Sequence, residues 1–238
     1  MIYVVGIGPG NASYRTGAAG AAIAGADVII GYSVYIDLIR SEYPDKPTFE
    51  TGMMGEIERC GEAIRLSRDG KNVAVVCSGD ASIYGMASLV MELADDRDTV
   101  EIVPGVTAAI SASAILGAPL NGDCAIVSLS DLLTPWHVIE KRMDAAAFGD
   151  FCIAVYNPSS KKRADYLSRA VEIILRHRDG DTPCGWVRNI GRDGQSHKIL
   201  TLSELRCESA DMFTTIIIGN STSYIKDGRI VTPRGYPI

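Results

Sequence analysis

Three short apolar runs in this chain each end in a turn built from glycine, a small polar residue or proline, and these turns hold the residues best suited to chemistry. Val73 to Cys77 runs into Ser78-Gly79-Asp80, and Ala87 to Leu93 then returns to helical spacing. Ile2 to Ile7 runs into Gly8-Pro9-Gly10-Asn11, and Val100 to Val103 into Pro104-Gly105-Val106-Thr107-Ala108. Small residues let the backbone turn sharply and let a ligand approach main-chain N–H and C=O groups. In an open α/β sheet, ligands lie beyond the carboxyl ends of the strands. The loops at 8–11, 78–83 and 104–108 are therefore expected to converge on one sheet edge. Their shortage of charge predicts a ligand held largely by backbone contacts. The alternative for Asp80 alone is a plain turn in which its carboxylate caps the following helix.

The surrounding pattern supplies a scaffold for these turns. Val73–Cys77 is a continuous apolar run, as expected of a strand buried on both faces. Thr16 to Ala24 reads as a small-residue helix, Val28 to Ile30 as a strand, and Thr51 to Glu56 as a loop. Ile57 to Arg68 reads as an amphipathic helix, and Ala108 to Leu116 as a helix of small residues. Gly117 to Asp123 is turn-rich and is read as a linker, giving an α/β unit at 1–117 and a second at 118–238. In the second unit, strands are expected at 124–129, 150–155, 183–187 and 214–218. Helices are expected from Trp136 to Ala146 and from Tyr166 to Arg176, and the tail from Asp227 as an extended piece.

Composition removes several classes of function. The 238 residues are 47% hydrophobic with 24 glycines, which fits an α/β protein with many tight turns. Lys and Arg number 23 against 29 Asp and Glu, a net charge of -6 without any basic block, so no nucleic-acid partner is expected. The six cysteines form no CxxC pair, and the three histidines are far apart; buried free thiols in a reducing compartment are expected, and no metal site. A dinucleotide fingerprint fails, because the third glycine position is Asn11 and Pro9 lacks an N–H. Ala18 to Ile39 is apolar, but Gly20, Gly25, Asp27 and Gly31 interrupt it, so no membrane span is expected. Met1-Ile2-Tyr3 enters a strand directly, so a cytoplasmic protein without a signal peptide is expected.

Several longer segments add a resemblance. The first half carries Gly6-Ile7-Gly8-Pro9-Gly10, Gly31-Tyr32-Ser33-Val34-Tyr35, Ser78-Gly79-Asp80 with Tyr84-Gly85-Met86, and Val103-Pro104-Gly105-Val106-Thr107-Ala108. The second half carries Ser128-Leu129-Ser130-Asp131-Leu132-Leu133-Thr134-Pro135-Trp136, Tyr156-Asn157-Pro158-Ser159-Ser160 and Arg188-Asn189-Ile190-Gly191-Arg192. Together these segments resemble the tetrapyrrole (corrin/porphyrin) methylases over nearly the whole chain. The Ser-Asp-Leu-Leu-Thr-Pro-Trp and Tyr-Asn-Pro segments are most similar to the precorrin-3B C17-methyltransferase branch. One departure is Ala81-Ser82, where the wider superfamily more often has proline after Gly-Asp.

The resemblance implies two α/β/α domains with a cleft between them, the first with a mainly parallel sheet, in a homodimer. It implies methyl transfer from S-adenosylmethionine to C17 of a tetrapyrrole with ring contraction, in cobalamin biosynthesis. Cofactor contacts are implied at Gly8, Pro9, Gly79, Asp80, Ile83, Tyr84, Thr107 and Ala108, and at Tyr156, Asn189, Thr214 and Thr215. Methyl transfer from a sulfonium mainly needs positioning, whereas the ring contraction calls for a base or hydrogen-bond acceptor. Ser130, Asp131 and Thr134 are the candidates, against the alternative that they cap the helix starting near Trp136. A substrate rich in carboxylates requires local cations on an acidic protein. Arg15, Arg163 and Arg192 rank first, because arginine grips carboxylates bidentately, ahead of Arg59, Lys161, Lys162 and Arg188. The competing readings are a sister methylase acting elsewhere on the macrocycle, a non-catalytic S-adenosylmethionine-binding module, and an NAD-dependent dehydrogenase.

Overall fold

The computed structural model describes residues 1–160 and 163–237. Their packing separates into two units, Met1–Ala108 and Ala109–Ile238.

The first unit alternates strands and helices: β1 (Ile2–Gly6), α1 (Gly17–Gly25), β2 (Val28–Tyr32), α2 (Ser33–Asp37), β3 (Thr48–Thr51), α3 (Glu56–Arg68), β4 (Val73–Cys77), α4 (Ala87–Leu93) and β5 (Val100–Val103). Its sheet has the order β3-β2-β4-β1-β5, and every neighbouring pair is parallel. All residues of β4 are buried, as its apolar run predicts for a central strand. Parallel register places Gly6 beside Cys77 and Val5 beside Val103, so the turns after β1, β4 and β5 leave the same edge. Strand β3 and helix α2 were not expected from the pattern. β3 is a four-residue, partly exposed edge strand and carries no continuous apolar run.

Local chemistry sets the helix ends. The Thr16 hydroxyl accepts the Ala19 N–H at 3.1 Å, so Thr16 is the cap of α1 rather than its first helical residue. In α3, the buried Arg59 guanidinium donates to Thr51 Oγ1 and to the Gly52 carbonyl, and pairs with Glu56 at 3.1 Å. That fixes the turn from β3 into α3 and removes Arg59 from the exposed cations.

The second unit begins in α5 (Ala108–Leu116) and continues through β6 (Gly117–Ala118), β7 (Cys124–Ser128), α6 (Trp136–Phe148), β8 (Cys152–Tyr156), α7 (Tyr166–Ile174), β9 (Pro183–Arg188), β10 (Ser196–Thr201), α8 (Leu202–Leu205), β11 (Thr214–Ile218), β12 (Tyr224–Lys226) and β13 (Arg229–Val231). Its main sheet, β10-β9-β11-β8-β7, is mixed: β7 and β8 are parallel and the other pairs antiparallel. Strands β12, β13 and β6 form a small separate sheet, so the turn-rich segment read as a linker starts with a strand. The core packs Val127, Leu129, Ile139, Met143, Ile153, Val171 and Ile216 between this sheet and helices α6 and α7. Arg178 is also buried in this unit and donates to the Phe151 and Gly219 carbonyls. Burial pushes its guanidinium below its ordinary pKa, and Asp150 at 3.8 Å counters that shift.

The cysteines divide between these environments. Cys60, Cys77, Cys152 and Cys184 are buried free thiols, whereas Cys124 and Cys207 are exposed, which corrects the expectation for those two. Burial pushes the Cys60 thiol up to about 11 and the Cys77 thiol up to about 12.

Candidate active site

At the strand-end edge of the first unit, three backbones meet with no room for side chains. A Cβ on Gly6 would lie 2.7 Å from Gly105 N and 2.8 Å from the Gly79 carbonyl oxygen. A Cβ on Gly105 would lie 2.6 Å from the Gly6 carbonyl carbon. Gly8 and Gly79 form a two-way bridge, with N–H···O distances of 3.0 and 2.7 Å, and both have positive φ, 77° and 72°. The side of Gly79 that would carry a Cβ is more open: it looks onto Ala108 N at 3.7 Å and Thr107 Cα at 3.8 Å. Gly8, Gly79, Thr107 and Ala108 thus share one backbone-lined edge, with Pro9 buried beside them.

Asp80 fastens this edge. Its Oδ1 accepts the N–H groups of Ser82 at 2.8 Å and Ile83 at 3.1 Å, and its Oδ2 accepts the Gly105 N–H at 2.9 Å. One carboxylate therefore closes its own turn and ties it to the turn after β5. It does not cap α4, whose N-cap is Met86, so the capping alternative fails. Tyr84, in the same loop, has φ 56° and is exposed.

Arg15 follows the turn after β1. Its side chain is 4% exposed and pairs with Glu42 through Nη1. Its Nε and Nη2 are buried without hydrogen-bond partners.

In the second unit the register again gathers the relevant residues on one edge. Ser128 is beside Tyr156 on the parallel pair, Val155 opposes Ile216, and Thr214 opposes Arg188. The carboxyl ends of β7, β8 and β9 therefore share an edge with the amino end of β11. Thr214 and Thr215 are buried there, and the Thr214 hydroxyl donates to Asp211 at 2.9 Å. Asn189 has φ 52°; its N–H donates to the Phe213 carbonyl at 3.1 Å. The Tyr156 hydroxyl accepts the Ala109 N–H at 2.8 Å, satisfying a first-turn donor of α5 directly after Thr107-Ala108.

The segment after β7 is built differently from a helix cap. Helix α6 has Pro135 at its N-cap and no side-chain cap bond, so Ser130, Asp131 and Thr134 do not cap it. Asp131 Oδ2 instead accepts the Tyr166 hydroxyl at 2.6 Å, and its Oδ1 lies 3.6 Å from Arg163 Nη1. That hydrogen bond pushes the Tyr166 hydroxyl above its ordinary pKa. Arg163 also donates to Ser160 Oγ at 3.0 Å and to the Leu129 carbonyl at 3.5 Å. The Ser130 N–H donates to Ser128 Oγ at 3.2 Å, which also accepts from Asn157 Nδ2 at 3.0 Å. Trp136 packs on Tyr166 at 4.4 Å, with the Arg169 guanidinium 4.0 Å from the Trp136 ring centroid.

Of the other candidate cations, Arg188 pairs with Asp211 at 2.7 Å, and Arg192 lies 5.8 Å from the Phe213 ring. Lys161 and Lys162 lie outside the described residues. Sequence reasoning missed Tyr166, the partner of Asp131, and Glu42, the partner of Arg15. The helical spacing marks Tyr166 as a helix start, and its position shortly after the Tyr156–Ser160 segment is the available signal.

Comparison with known proteins decides the family. Residues 1–206 match the family model of the tetrapyrrole (corrin/porphyrin) methylases. The chain belongs to this family. Over its full length the methylase is 45% identical to a probable cobalt-factor III C(17)-methyltransferase of Salmonella typhimurium, covering 100% of both chains. It is 36% identical to a precorrin-3B C(17)-methyltransferase of a Sinorhizobium species, over 99% of this chain and 96% of the relative. Among solved structures, the methyltransferase CobJ matches with a TM-score of 0.90 at 32% identity, covering 98% of this methylase and 99% of CobJ.

Proposed function

We propose that this methylase transfers a methyl group from S-adenosylmethionine to C17 of precorrin-3B or its cobalt counterpart, with ring contraction, in cobalamin biosynthesis. The observation that carries the reading is the end-to-end identity of 45% with a probable cobalt-factor III C(17)-methyltransferase. That this exceeds the 36% shared with a precorrin-3B enzyme favours the cobalt-containing substrate.

The backbone-lined edge of the first unit offers S-adenosylmethionine a close approach to main chain. The Gly8 and Gly79 N–H groups are bonded to each other's carbonyls, so these glycines offer carbonyl oxygens with a second lone pair, beside the main chain of Thr107 and Ala108, and Gly79 leaves the approach open. Pro9, Asp80, Ile83 and Tyr84 shape that edge, Asp80 by holding its two loops together. Tyr156, Asn189, Thr214 and Thr215 are the proposed contacts from the second unit. When bound, the sulfonium supplies an electrophilic methyl group. The chain's part is then positioning, which alone supplies several kcal/mol. Asp131, held by Tyr166 and Arg163, is the proposed hydrogen-bond acceptor or base for the ring contraction, with Ser130 and Thr134 beside it in the loop. Arg15, Arg163 and Arg192 are the proposed partners of substrate carboxylates. Among the described residues no helix is long and apolar enough to cross a membrane. The enzyme is proposed to work in the cytoplasm as a homodimer.

Isothermal titration with S-adenosylhomocysteine, with NAD as control, tests the cofactor. Micromolar binding of the first alone is expected. Mass analysis of the tetrapyrrole after turnover tests the reaction. Failure of well-folded protein to bind S-adenosylhomocysteine overturns the reading.

A further inference from the structure

The loop from Ser130 to Pro135 combines a fastened base with an apolar tip. Leu132 is 69% exposed and Leu133 is 92% exposed, the highest exposure of any large hydrophobic residue described. Exposed leucines on a slack loop would need no explanation. This loop is not slack. Asp131 is bonded to Tyr166 at 2.6 Å and sits beside Arg163. Arg163 reaches back to the Leu129 carbonyl, and the Ser130 N–H is bonded to Ser128. At the far end, Trp136 packs on Tyr166, and the Arg169 guanidinium lies over both rings. Two leucines held out by ionic and aromatic anchors form a pre-organised contact, so the ordering entropy of the loop is met before anything binds.

We propose that Leu133, with Leu132 beside it, is the specificity-determining contact for the apolar face of the tetrapyrrole, and that Tyr166 is a positioning residue holding this tip. The proposal rests on the methyltransferase reading above. Two observations favour the tetrapyrrole as the occupant. The tip leaves the strand-end edge that carries Tyr156 and Thr214-Thr215. The described cations at the base of the loop, Arg163 beside Asp131 and Arg169 over Trp136, suit a flat apolar ring fringed with carboxylates rather than a purely apolar partner.

The test uses Leu133→Ser, Tyr166→Phe and the double variant, assayed with cobalt-factor III and titrated with S-adenosylhomocysteine. Leu133 is exposed, so its replacement leaves folding intact. Loss of its buried area against the ring is expected to raise KM for the tetrapyrrole about tenfold, with kcat and the S-adenosylhomocysteine Kd unchanged within about twofold. Tyr166→Phe is expected to raise the same KM. Leu133→Ser added to it is expected to contribute less than about twofold more, because the tip is already displaced. A full, independent tenfold increment in the double variant overturns the positioning role of Tyr166. An unchanged KM in Leu133→Ser, in an enzyme that binds S-adenosylhomocysteine and turns over, overturns the role of the loop alone. So does a change in sedimentation of Leu133→Ser without a change in KM, which would make the tip a contact between copies of the chain. Failure of the unaltered chain to bind S-adenosylhomocysteine overturns the methyltransferase reading and this assignment with it.

Discussion

Replacing Asp80 separates a cofactor ligand from a loop fastener. Its carboxylate accepts three main-chain N–H groups: Ser82, Ile83 and, across to the turn after β5, Gly105. The Ser82 bond is exposed, so water replaces it at little cost. The Ile83 and Gly105 bonds are partly buried. A hydrogen bond to a charged acceptor contributes about 1.5 kcal/mol at the lower end of its range, so Asp80→Ala should cost about 3 kcal/mol. For a chain of this size that lowers Tm by about 6–12 °C. Asp80→Asn keeps one oxygen, enough for the local turn, but turns an amide NH2 toward the Gly105 N–H. It should cost roughly half as much in Tm, yet weaken S-adenosylhomocysteine binding nearly as much as alanine does. The assay is thermal denaturation beside isothermal titration on the three proteins. Equal Tm values for all three would refute the fastening argument. A loss of binding in Asp80→Ala with no loss of stability would make Asp80 a direct ligand instead.

Other expectations follow from the same geometry. Gly105→Ala places a methyl 2.6 Å from the Gly6 carbonyl carbon, against backbone that cannot turn aside, and should abolish S-adenosylhomocysteine binding in titration or prevent soluble expression. Tyr156→Phe removes the acceptor for the Ala109 N–H and should cost about 1 kcal/mol in chemical denaturation, as loss of a helix cap does. A thiol reagent at pH 8 should label Cys124 and Cys207 quickly and the four buried cysteines only on unfolding, read by mass spectrometry. Cys77 is pushed up to about 12 and Cys60 to about 11 from an ordinary value of 9.0, so the folded state keeps protons that the unfolded chain releases. Stability from this source is complete below pH 9.0 and is lost as pH rises toward 11 and 12. A Tm that stays flat from pH 8 to 10.5 would contradict it.

How far the sequence carried depended on whether the deciding interaction was local. Strand β4 and the three turns were legible because a buried central strand writes itself as an unbroken apolar run. Strands β3 and β10 were not, because edge strands such as Thr48–Thr51 and Ser196–Thr201 are short or polar and face solvent. Asp80 was visible as a residue able to bond backbone N–H groups, but its bond to Gly105 spans 25 positions and has no local signature. Asp131 and Tyr166 are 35 positions apart and meet only because β7 and β8 are neighbours in register. The cofactor and the substrate came from the resemblance of whole segments, not from any single spacing.

The mutual contact of Gly6, Gly79 and Gly105 also bears on how such a protein can change over generations. An edge made of main chain offers no side chains to exchange, and a larger residue at Gly6 or Gly105 cannot be accommodated by shrinking a neighbour that is already glycine. Compensating second-site changes are thereby closed off, and the edge is inherited whole or lost. Any drift toward a different methyl acceptor has to be written elsewhere, in loops such as 130–135 whose exposed side chains can be altered one at a time.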